Sequence, residues 1–316
     1  MLNRRMLRIK VFKVLFSYAG NRGMTLNEAL SEFNTSCEAA RDLYLLMLQI
    51  IPTLEKEARG RIEAARRKIN PTEAELHPNM KFAENKVAAV LEDDPDFRKI
   101  ISRKKISWDS YDAFIRQAFD SISRKEYFAQ YMSSGEKSLQ EDAELWARIF
   151  EEEFEDNAEL EKILEELSIY WNDDLAYSLM HCCRAMDGIA HTGRWDFPPL
   201  YQSEILKKKG KDVSDDKDFA VKLLKCAFGR FDEYNAMTAA AVNRWDLDRL
   251  VASDAVLIVL GLAEAENFDD IPVKVTINEY VDIAKYYSTP KSSSFVNATL
   301  DGIIRKMVGD GRITKR

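Results

Sequence analysis

Histidine, cysteine, proline and glycine are all scarce in this chain of 316 residues, which contains 3, 4, 8 and 12 of them, respectively. The sequence also lacks a glycine-rich phosphate loop and a G-x-S-x-G motif, so it offers no candidate nucleophile, general base or nucleotide-binding loop. The adjacent cysteines of "HCCRAMDGIAH" would point to different faces of a helix and do not have the spacing of a zinc site. We therefore expect no catalysis, no cofactor, no bound metal and no disulfides.

Long apolar runs are missing as well. No segment approaches the roughly 18 uncharged residues that a membrane-spanning helix requires, and the N-terminus has no signal-peptide pattern. We expect no membrane partner and a cytoplasmic location. Alternating strand patterns are almost absent, whereas apolar residues recur at i, i+3 and i+4 along most of the chain. The sequence therefore predicts an all-α protein.

A basic footprint, which nucleic-acid-binding proteins usually carry, is absent from the overall composition because the formal net charge is −7. The acidity is mostly local. Residues 136–174 hold 15 acidic and 3 basic side chains, a net charge of −12, so the rest of the chain carries +5. We interpret this segment as an amphipathic helix or helix pair with a solvated acidic face, and a role in charge recognition is the alternative.

The patterns divide the chain into three parts. Residues 1–70 are predicted to form an N-terminal helical subdomain, and residues 206–316 a C-terminal one. Between them, residues 71–205 alternate short helical patterns with turn signals and include the acidic segment. We therefore interpret the middle part as a helical insertion.

Several local patterns give sharper predictions. Thr25 and Glu28 have the spacing of a capping box at a helix start. Two helical patterns follow between residues 28 and 70, and the lysine-rich residues 207–217 predict a mobile loop. Residues 255–263 are apolar or glycine throughout and too few to cross a membrane, so they predict a helix buried on every side.

The first helix carries a cluster of basic residues. Arg4, Arg5 and Arg8 lie close together near its N-terminus, beside an apolar face. Such a cluster suits contacts with phosphate groups. A solvated face, or pairing with acids on the same helix, is the alternative.

The stretch "TPKSSSFVNATLDGIIRK" predicts a last helix that begins with serine caps. Free backbone N–H groups, hydroxyls such as that of Ser294, and the neighbouring Lys291 could together bind a phosphate. Phe295 could stack on an unpaired base of single-stranded RNA. Alternatively, Phe295 is a hydrophobic staple that fixes the start of the helix.

Three motifs of the C-terminal part occur in order and at short spacings: "WDLDRLVASDAVLIVLGLAE", "DIPVKVTINEYVDIAKYYS" and "SSSFVNATLDGI". With the N-terminal "RRMLRIKVFKVLFSY", they resemble the NusB family of transcription antitermination factors. The resemblance covers about residues 1–50 and 225–308, and most of the stretch between exceeds the usual length of the family. It implies a NusB-like helical fold of two helical subdomains, here with a large helical insertion.

The resemblance also implies a function. Members of the family bind the boxA element of nascent RNA together with the NusE-type small-subunit ribosomal protein, within the RNA polymerase antitermination complex that transcribes ribosomal RNA. The arginine-rich start of the family corresponds to the basic cluster above, and its RNA-stacking aromatic corresponds to Phe295. For the ribosomal protein, the resemblance implies contacts through Phe16 and Asp254.

The chain departs from the family pattern in places. Ala298 replaces the glycine that usually follows "FVN", Ile258 replaces an arginine that is frequent in the buried helix, and the acidic insertion separates the two halves. A NusB-fold module that binds proteins without recognising specific RNA is therefore an alternative. An RNA-modifying enzyme is a further alternative, but the sequence has no nucleotide-binding loop after a strand.

Overall fold

The structure, a computed structural model, divides the chain into two compact units. The terminal unit comprises Met1–Cys37 and Leu200–Arg316, and the inserted unit comprises Glu38–Pro199. The residues that the structure describes are 1–201, 205–208, 211–242 and 251–315.

Helices make up most of the described residues, which confirms the predicted all-α class. Their bounds are α1 Arg4–Gly20, α2 Leu26–Arg66, α3 Glu73–Leu76, α4 Lys86–Asp93, α5 Pro95–Lys104, α6 Asp112–Ser123, α7 Glu126–Ser133, α8 Leu139–Glu153, α9 Ala158–Leu167, α10 Leu175–Thr192, α11 Asp215–Gly229, α12 Phe231–Ala241, α13 Ala252–Asn267, α14 Val273–Tyr287 and α15 Ser292–Gly309.

The predicted capping box at the start of α2 is confirmed. The Thr25 backbone N–H donates to the Glu28 carboxylate at 2.7 Å, and the Glu28 N–H donates to the Thr25 hydroxyl at 3.3 Å. These reciprocal bonds satisfy donors that a helix start would otherwise leave without partners.

The expectation of two helical patterns between residues 28 and 70 is wrong, because α2 is one helix of 41 residues with Pro52 inside it. A proline in a helix interior costs about 3 kcal/mol. The neighbouring Ile50, Ile51 and Leu54 are fully buried, and burying each such side chain contributes about 1.5–3 kcal/mol. The burial of the residues on both sides of Pro52 therefore outweighs the tendency of proline to break a helix.

In the terminal unit, α13 is the central helix and packs against α1, α11, α12, α14 and α15. Its residues from Val256 to Ala265 are buried, which confirms the helix predicted to be buried on every side. Gly261 lets α15 approach closely, since a Cβ atom at this position would lie 2.7 Å from Leu300 Cδ2. Ile258, which stands where the family often has arginine, is fully buried.

A short antiparallel hairpin occupies part of the predicted mobile loop at residues 207–217. Strand β1 is Ile205–Lys208, strand β2 is Lys211–Ser214, and α11 begins directly after β2. We predicted a loop because the stretch is rich in charged residues. Strand pairing depends on backbone hydrogen bonds, which charged side chains do not prevent. Residues 209–210 of this stretch lie outside the described residues.

The acidic segment of the inserted unit forms the predicted helix pair, α8 and α9. Its apolar face is buried, and α10 packs along α8. Trp146 also donates its indole N–H to the Asn85 side chain at 3.1 Å. Most acidic side chains of α9 face solvent, as expected of an amphipathic helix. The buried apolar residues of this segment include Trp146, Phe150, Phe154, Leu160 and Leu164.

The observed division differs from the predicted boundaries at residues 70 and 205. Residues 38–70 belong to the inserted unit, and the division falls inside the continuous helix α2. The division of the chain into subdomains at residues 1–70, 71–205 and 206–316 stays a prediction.

Candidate nucleic-acid interface

The N-terminus of α15 presents a mixed polar and aromatic surface in the terminal unit. Lys291 is the N-cap residue and is exposed, Ser294 is exposed, and Phe295 is half-buried. Ser292 and Val296, one turn apart, are buried. The helix therefore turns one face into the core and leaves Lys291, Ser294 and part of the Phe295 ring accessible.

Two backbone donors of this first turn are available for a ligand. The Ser292 N–H donates to the Thr289 carbonyl at 2.9 Å, and the Phe295 N–H donates to the Lys291 carbonyl at 3.3 Å. Within the described residues, the N–H groups of Ser293 and Ser294 have no such partner. With the charge of Lys291 beside them, these groups can hold an anion such as a phosphate.

Phe295 lies outside the apolar stripe of α15. That stripe consists of Val296, Leu300, Ile303, Ile304 and Met307, all buried. Among the described aromatic residues, none lies in ring contact with Phe295. A flat, half-buried ring beside a helix N-terminus is able to stack on an unpaired base.

The expected serine caps are wrong in detail. Lys291 is the N-cap and makes no side-chain capping bond, while Ser292 is the first helical residue. The Ser292 hydroxyl donates instead to Asp254 Oδ2 at 2.8 Å, and Ser288 donates to Asp254 Oδ1 at 2.6 Å. The acceptor for the serines is therefore a carboxylate of another helix.

Asp254 is only 2% exposed and uses both carboxylate oxygens within its own chain. The contact with a ribosomal protein that the family resemblance implies would require an accessible carboxylate. The structure does not give Asp254 that exposure.

Arg8 is likewise buried. Its guanidinium donates to the fully buried Glu264 carboxylate at 2.8 and 2.9 Å. Thr276 and Tyr280 donate to the same carboxylate at 2.9 and 3.0 Å. With four donated hydrogen bonds, the Glu264 charge is well compensated, so Arg8 holds the core of the unit together and does not face a phosphate.

The pKa directions agree with this arrangement. Burial alone would lower the pKa of Arg8, but the hydrogen bonds and the charge of Glu264 raise it above its ordinary value. Burial raises the pKa of Tyr280 well above its ordinary value, and the charge of Glu264 acts in the same direction. Arg8 therefore stays protonated, and Tyr280 stays a hydrogen-bond donor, at neutral pH.

Arg4 and Arg5 are partly exposed but paired with acids. Arg5 donates to Glu279 at 2.8 Å and to Asp282 at 3.1 Å on α14. Arg4 lies 3.0 Å from Asp216. Because Asp282 precedes Ser288 by six residues, this partner of Arg5 lies about 9 Å along α14 from the loop that leads to α15. The acidic partners of Arg5 therefore lie on α14 and not at the start of α15.

Phe16 belongs to an aromatic patch near the end of α14, which we define as Phe12, Phe16 and Tyr287. Phe16 is 44% exposed, and its ring centroid lies 5.9 Å from that of Phe12. Phe12 contacts Tyr287 at 5.5 Å. The structure thus brings Phe16 near the loop that precedes Lys291, and an exposed aromatic ring such as that of Phe16 suits a protein contact.

Three residues in or beside this patch, Lys13, Tyr286 and Tyr287, were missed by the sequence analysis. Tyr286 is 84% exposed, and the Lys13 ammonium lies 5.7 Å from the centroid of the Tyr287 ring. The signal for the tyrosines is the pair "YYS" directly before the serines. For Lys13 there is none, since its place beside α14 depends on how two helices distant in sequence pack.

Within the described part of the chain, no group of three or more histidine, cysteine, aspartate or glutamate residues is arranged to hold a metal ion. Over the same residues, every helix is too short or too polar to cross a membrane. Residues 245–250, which begin the first family motif, lie outside the described residues.

Comparison with known proteins places these features in a family. A sequence model of the NusB family matches residues 199–305. The transcription antitermination protein NusB of Chloroherpeton thalassium is 34% identical over 128 residues, which are 37% of this chain and 61% of that protein. The Salinibacter ruber protein of the same name is 32% identical over 99 residues, 31% of this chain and 62% of that one.

A relative that is matched over more of its length is the transcription antitermination protein NusB of Listeria monocytogenes. It is 34% identical over 110 residues, 33% of this chain and 86% of that protein. By contrast, the chain spans about three fifths of the length of the two relatives above. No solved structure gives a significant match. The similarity over most of the Listeria protein shows that this chain belongs to the NusB family.

Proposed function

We propose that this protein is an RNA-binding transcription antitermination factor. In this proposal it binds boxA-type single-stranded RNA together with a NusE-type small-subunit ribosomal protein, as part of the RNA polymerase antitermination complex during ribosomal RNA transcription. In this proposal the protein acts by binding and not by catalysis. Its location is the cytoplasm, because its proposed ligand is nascent RNA.

The observation that carries the proposal is the N-terminus of α15. An exposed lysine, two available backbone N–H groups and a half-exposed aromatic ring meet within one helical turn. Phosphate binding at a helix N-terminus and base stacking on an aromatic ring are the two contacts by which proteins commonly hold unpaired nucleotides.

The neighbouring aromatic patch supports the protein partner. Phe16 presents a half-exposed ring a short distance from the candidate RNA site, and Tyr286 adds a second exposed ring. Aromatic anchors of this kind dominate many protein interfaces. Arg4 and Arg5 could add phosphate contacts by exchanging their acidic partners for RNA, whereas Arg8 is excluded by burial.

A second candidate function is a protein-binding module that does not recognise specific RNA. The observation in its favour is the neutralisation of the basic cluster. Arg5 pairs with Glu279 and Asp282, and Arg4 pairs with Asp216. If these pairs persist, the lysine and the backbone groups of α15 supply most of the positive potential at the site.

Fluorescence anisotropy distinguishes the two functions. We would measure binding of the full chain to a boxA-like RNA and to a scrambled RNA, with and without the cognate ribosomal protein, at two salt concentrations. The antitermination function predicts preference for the boxA-like RNA, strengthened by the partner, and weaker binding at higher salt. Equal affinity for both RNAs in the presence of the partner would support the protein-binding module.

A further inference from the structure

The carboxylate of Asp254 is the centre of a closed hydrogen-bond network, which we call the Asp254 network and define as Ser253, Asp254, Ser288, Thr289 and Ser292. Ser288 donates to one carboxylate oxygen and Ser292 to the other, at 2.6 and 2.8 Å. Both Asp254 and Ser292 are only 2% exposed. Solvent therefore competes little for these bonds.

The donors in this network can be assigned by counting hydrogens. Each hydroxyl has one hydrogen to donate, and those of Ser288 and Ser292 point to Asp254. Ser253 must then donate to Ser288, at 2.8 Å, and the Thr289 hydroxyl must donate to Ser292, also at 2.8 Å. The Thr289 backbone N–H adds a bond to the Ser292 oxygen at 3.2 Å. Only this assignment of donors and acceptors forms all the hydrogen bonds of the Asp254 network.

The Asp254 network joins three helix ends. Asp254 lies in the first turn of α13, Ser288 directly follows α14, and Ser292 is the first residue of α15. Fixing Ser292 toward the core fixes the rotation of the first turn of α15. That rotation leaves Lys291 and Ser294 exposed and Phe295 half-exposed.

A capping role within α13 alone does not account for this geometry. A carboxylate in the first turn is favoured by the N-terminus of its own helix, and such a role needs no further partners. Here both oxygens accept from hydroxyls of the loop between α14 and α15 and of α15 itself. The bonds therefore connect α13 to the part of the chain that carries the candidate RNA site.

We propose that Asp254 is a positioning residue for RNA binding. It holds the first turn of α15 in the orientation that presents Lys291, Ser294 and Phe295 to a single-stranded RNA, and it contacts neither the RNA nor a protein partner. This inference rests on the proposed function. It replaces a direct partner contact of Asp254 with an indirect role in binding RNA.

The first test is RNA affinity in the full chain. Asp254→Ala removes both carboxylate acceptors. If the first turn of α15 then has the correct orientation about one tenth of the time, boxA-like RNA should bind about tenfold more weakly. Ser292→Ala should act in the same direction, and Asp254→Asn, which keeps the shape and one carbonyl oxygen, should lose less. Asp301→Ala is the matched control, because it removes a partly exposed carboxylate of α15 whose ion pair within the described residues is with Arg305.

A double-mutant cycle separates positioning from a general loss of stability. If Asp254 acts by orienting Phe295, then Asp254→Ala should cost much less affinity in a Phe295→Ala background than in the natural chain. Equal costs in the two backgrounds would overturn the inference. Binding is measured at a temperature at which circular dichroism shows every variant to be folded.

Hydrogen exchange tests the same role without RNA. Amides of residues 291–296 should exchange faster in Asp254→Ala than in the natural chain, while those of the centre of α13 should not change. Unchanged exchange at 291–296 overturns the inference. So does unchanged boxA affinity in Asp254→Ala when the natural chain binds that RNA, and this result leaves the proposed function intact. Failure of the natural chain to bind with its partner rejects the proposed function itself, whatever the exchange shows.

Discussion

Phe295 has two roles to be separated at the scale of the single residue. Its ring is half-exposed and lies outside the buried stripe of α15. We expect Phe295→Ala to weaken binding of boxA-like RNA by about 1–3 kcal/mol, the usual worth of one stacked base, with little change in melting temperature. Anisotropy and thermal melts measure the two quantities. Unaltered affinity with a lower melting temperature would instead identify the ring as a hydrophobic staple.

Phe16→Ala is the matched control for that experiment, because it removes another partly exposed aromatic ring of the same unit. We expect it to leave affinity for RNA alone unchanged and to reduce the strengthening by the ribosomal protein. If both variants affect RNA alone equally, Phe16 belongs to the RNA site as well.

Arg8 and Arg5 differ in burial, and this gives a second prediction at the same scale. Arg8→Met leaves the buried Glu264 carboxylate without its cation, which should cost about 3–5 kcal/mol of unfolding free energy. Arg5→Ala removes a pair in which the arginine side chain is 48% exposed, so it should cost at most about 1 kcal/mol. Urea denaturation measures both. Similar losses for the two variants would contradict the structural role assigned to Arg8.

At the scale of the element, the approach of α13 and α15 depends on Gly261. A methyl group there would meet the buried Leu300 side chain at 2.7 Å, so Gly261→Ala should destabilise the chain by about 1–3 kcal/mol through overpacking. Gly302→Ala is the control, since its Cβ would meet nothing within 4 Å. That change should stabilise α15 by about 0.4–1 kcal/mol. A thermal melt in which both variants behave alike would disprove the close contact.

The helices that could be predicted from the sequence are those specified by local pattern. The run from 255 to 263 indicates a buried helix by composition alone, and the capping box of Thr25 and Glu28 needs only a spacing of three residues. Pro52 shows the limit of this reasoning, because the packing that overrides it comes from residues distant in sequence. The candidate site divides in the same way. Lys291 and Phe295 follow from the start of a helix, whereas the burial of Arg8 depends on Glu264, which lies 256 residues away.

At the scale of the whole molecule, the two units carry charge of opposite sign. The inserted unit holds 33 acidic and 22 basic side chains, a net charge of −11, so the terminal unit carries +4. A negative unit in the same chain should repel RNA as it approaches, by a force that salt screens over about 10 Å at 0.1 M ionic strength. The terminal unit, which holds the candidate site, is weakly positive and attracts RNA. The negative charge of the inserted unit opposes that attraction.

Neutralising α9 tests this competition. Glu159, Glu161, Glu165 and Glu166 are exposed, so their joint replacement by glutamine changes the charge by four while the buried face of the helix stays intact. We expect association with boxA-like RNA to become several-fold faster at low salt, and the gain to disappear near 1 M salt, where the screening length falls to about 3 Å. Stopped-flow fluorescence measures the rate. A gain that survives high salt would point to a direct contact of α9 with RNA, and no gain at low salt would show that the acidity of the inserted unit does not act on RNA binding.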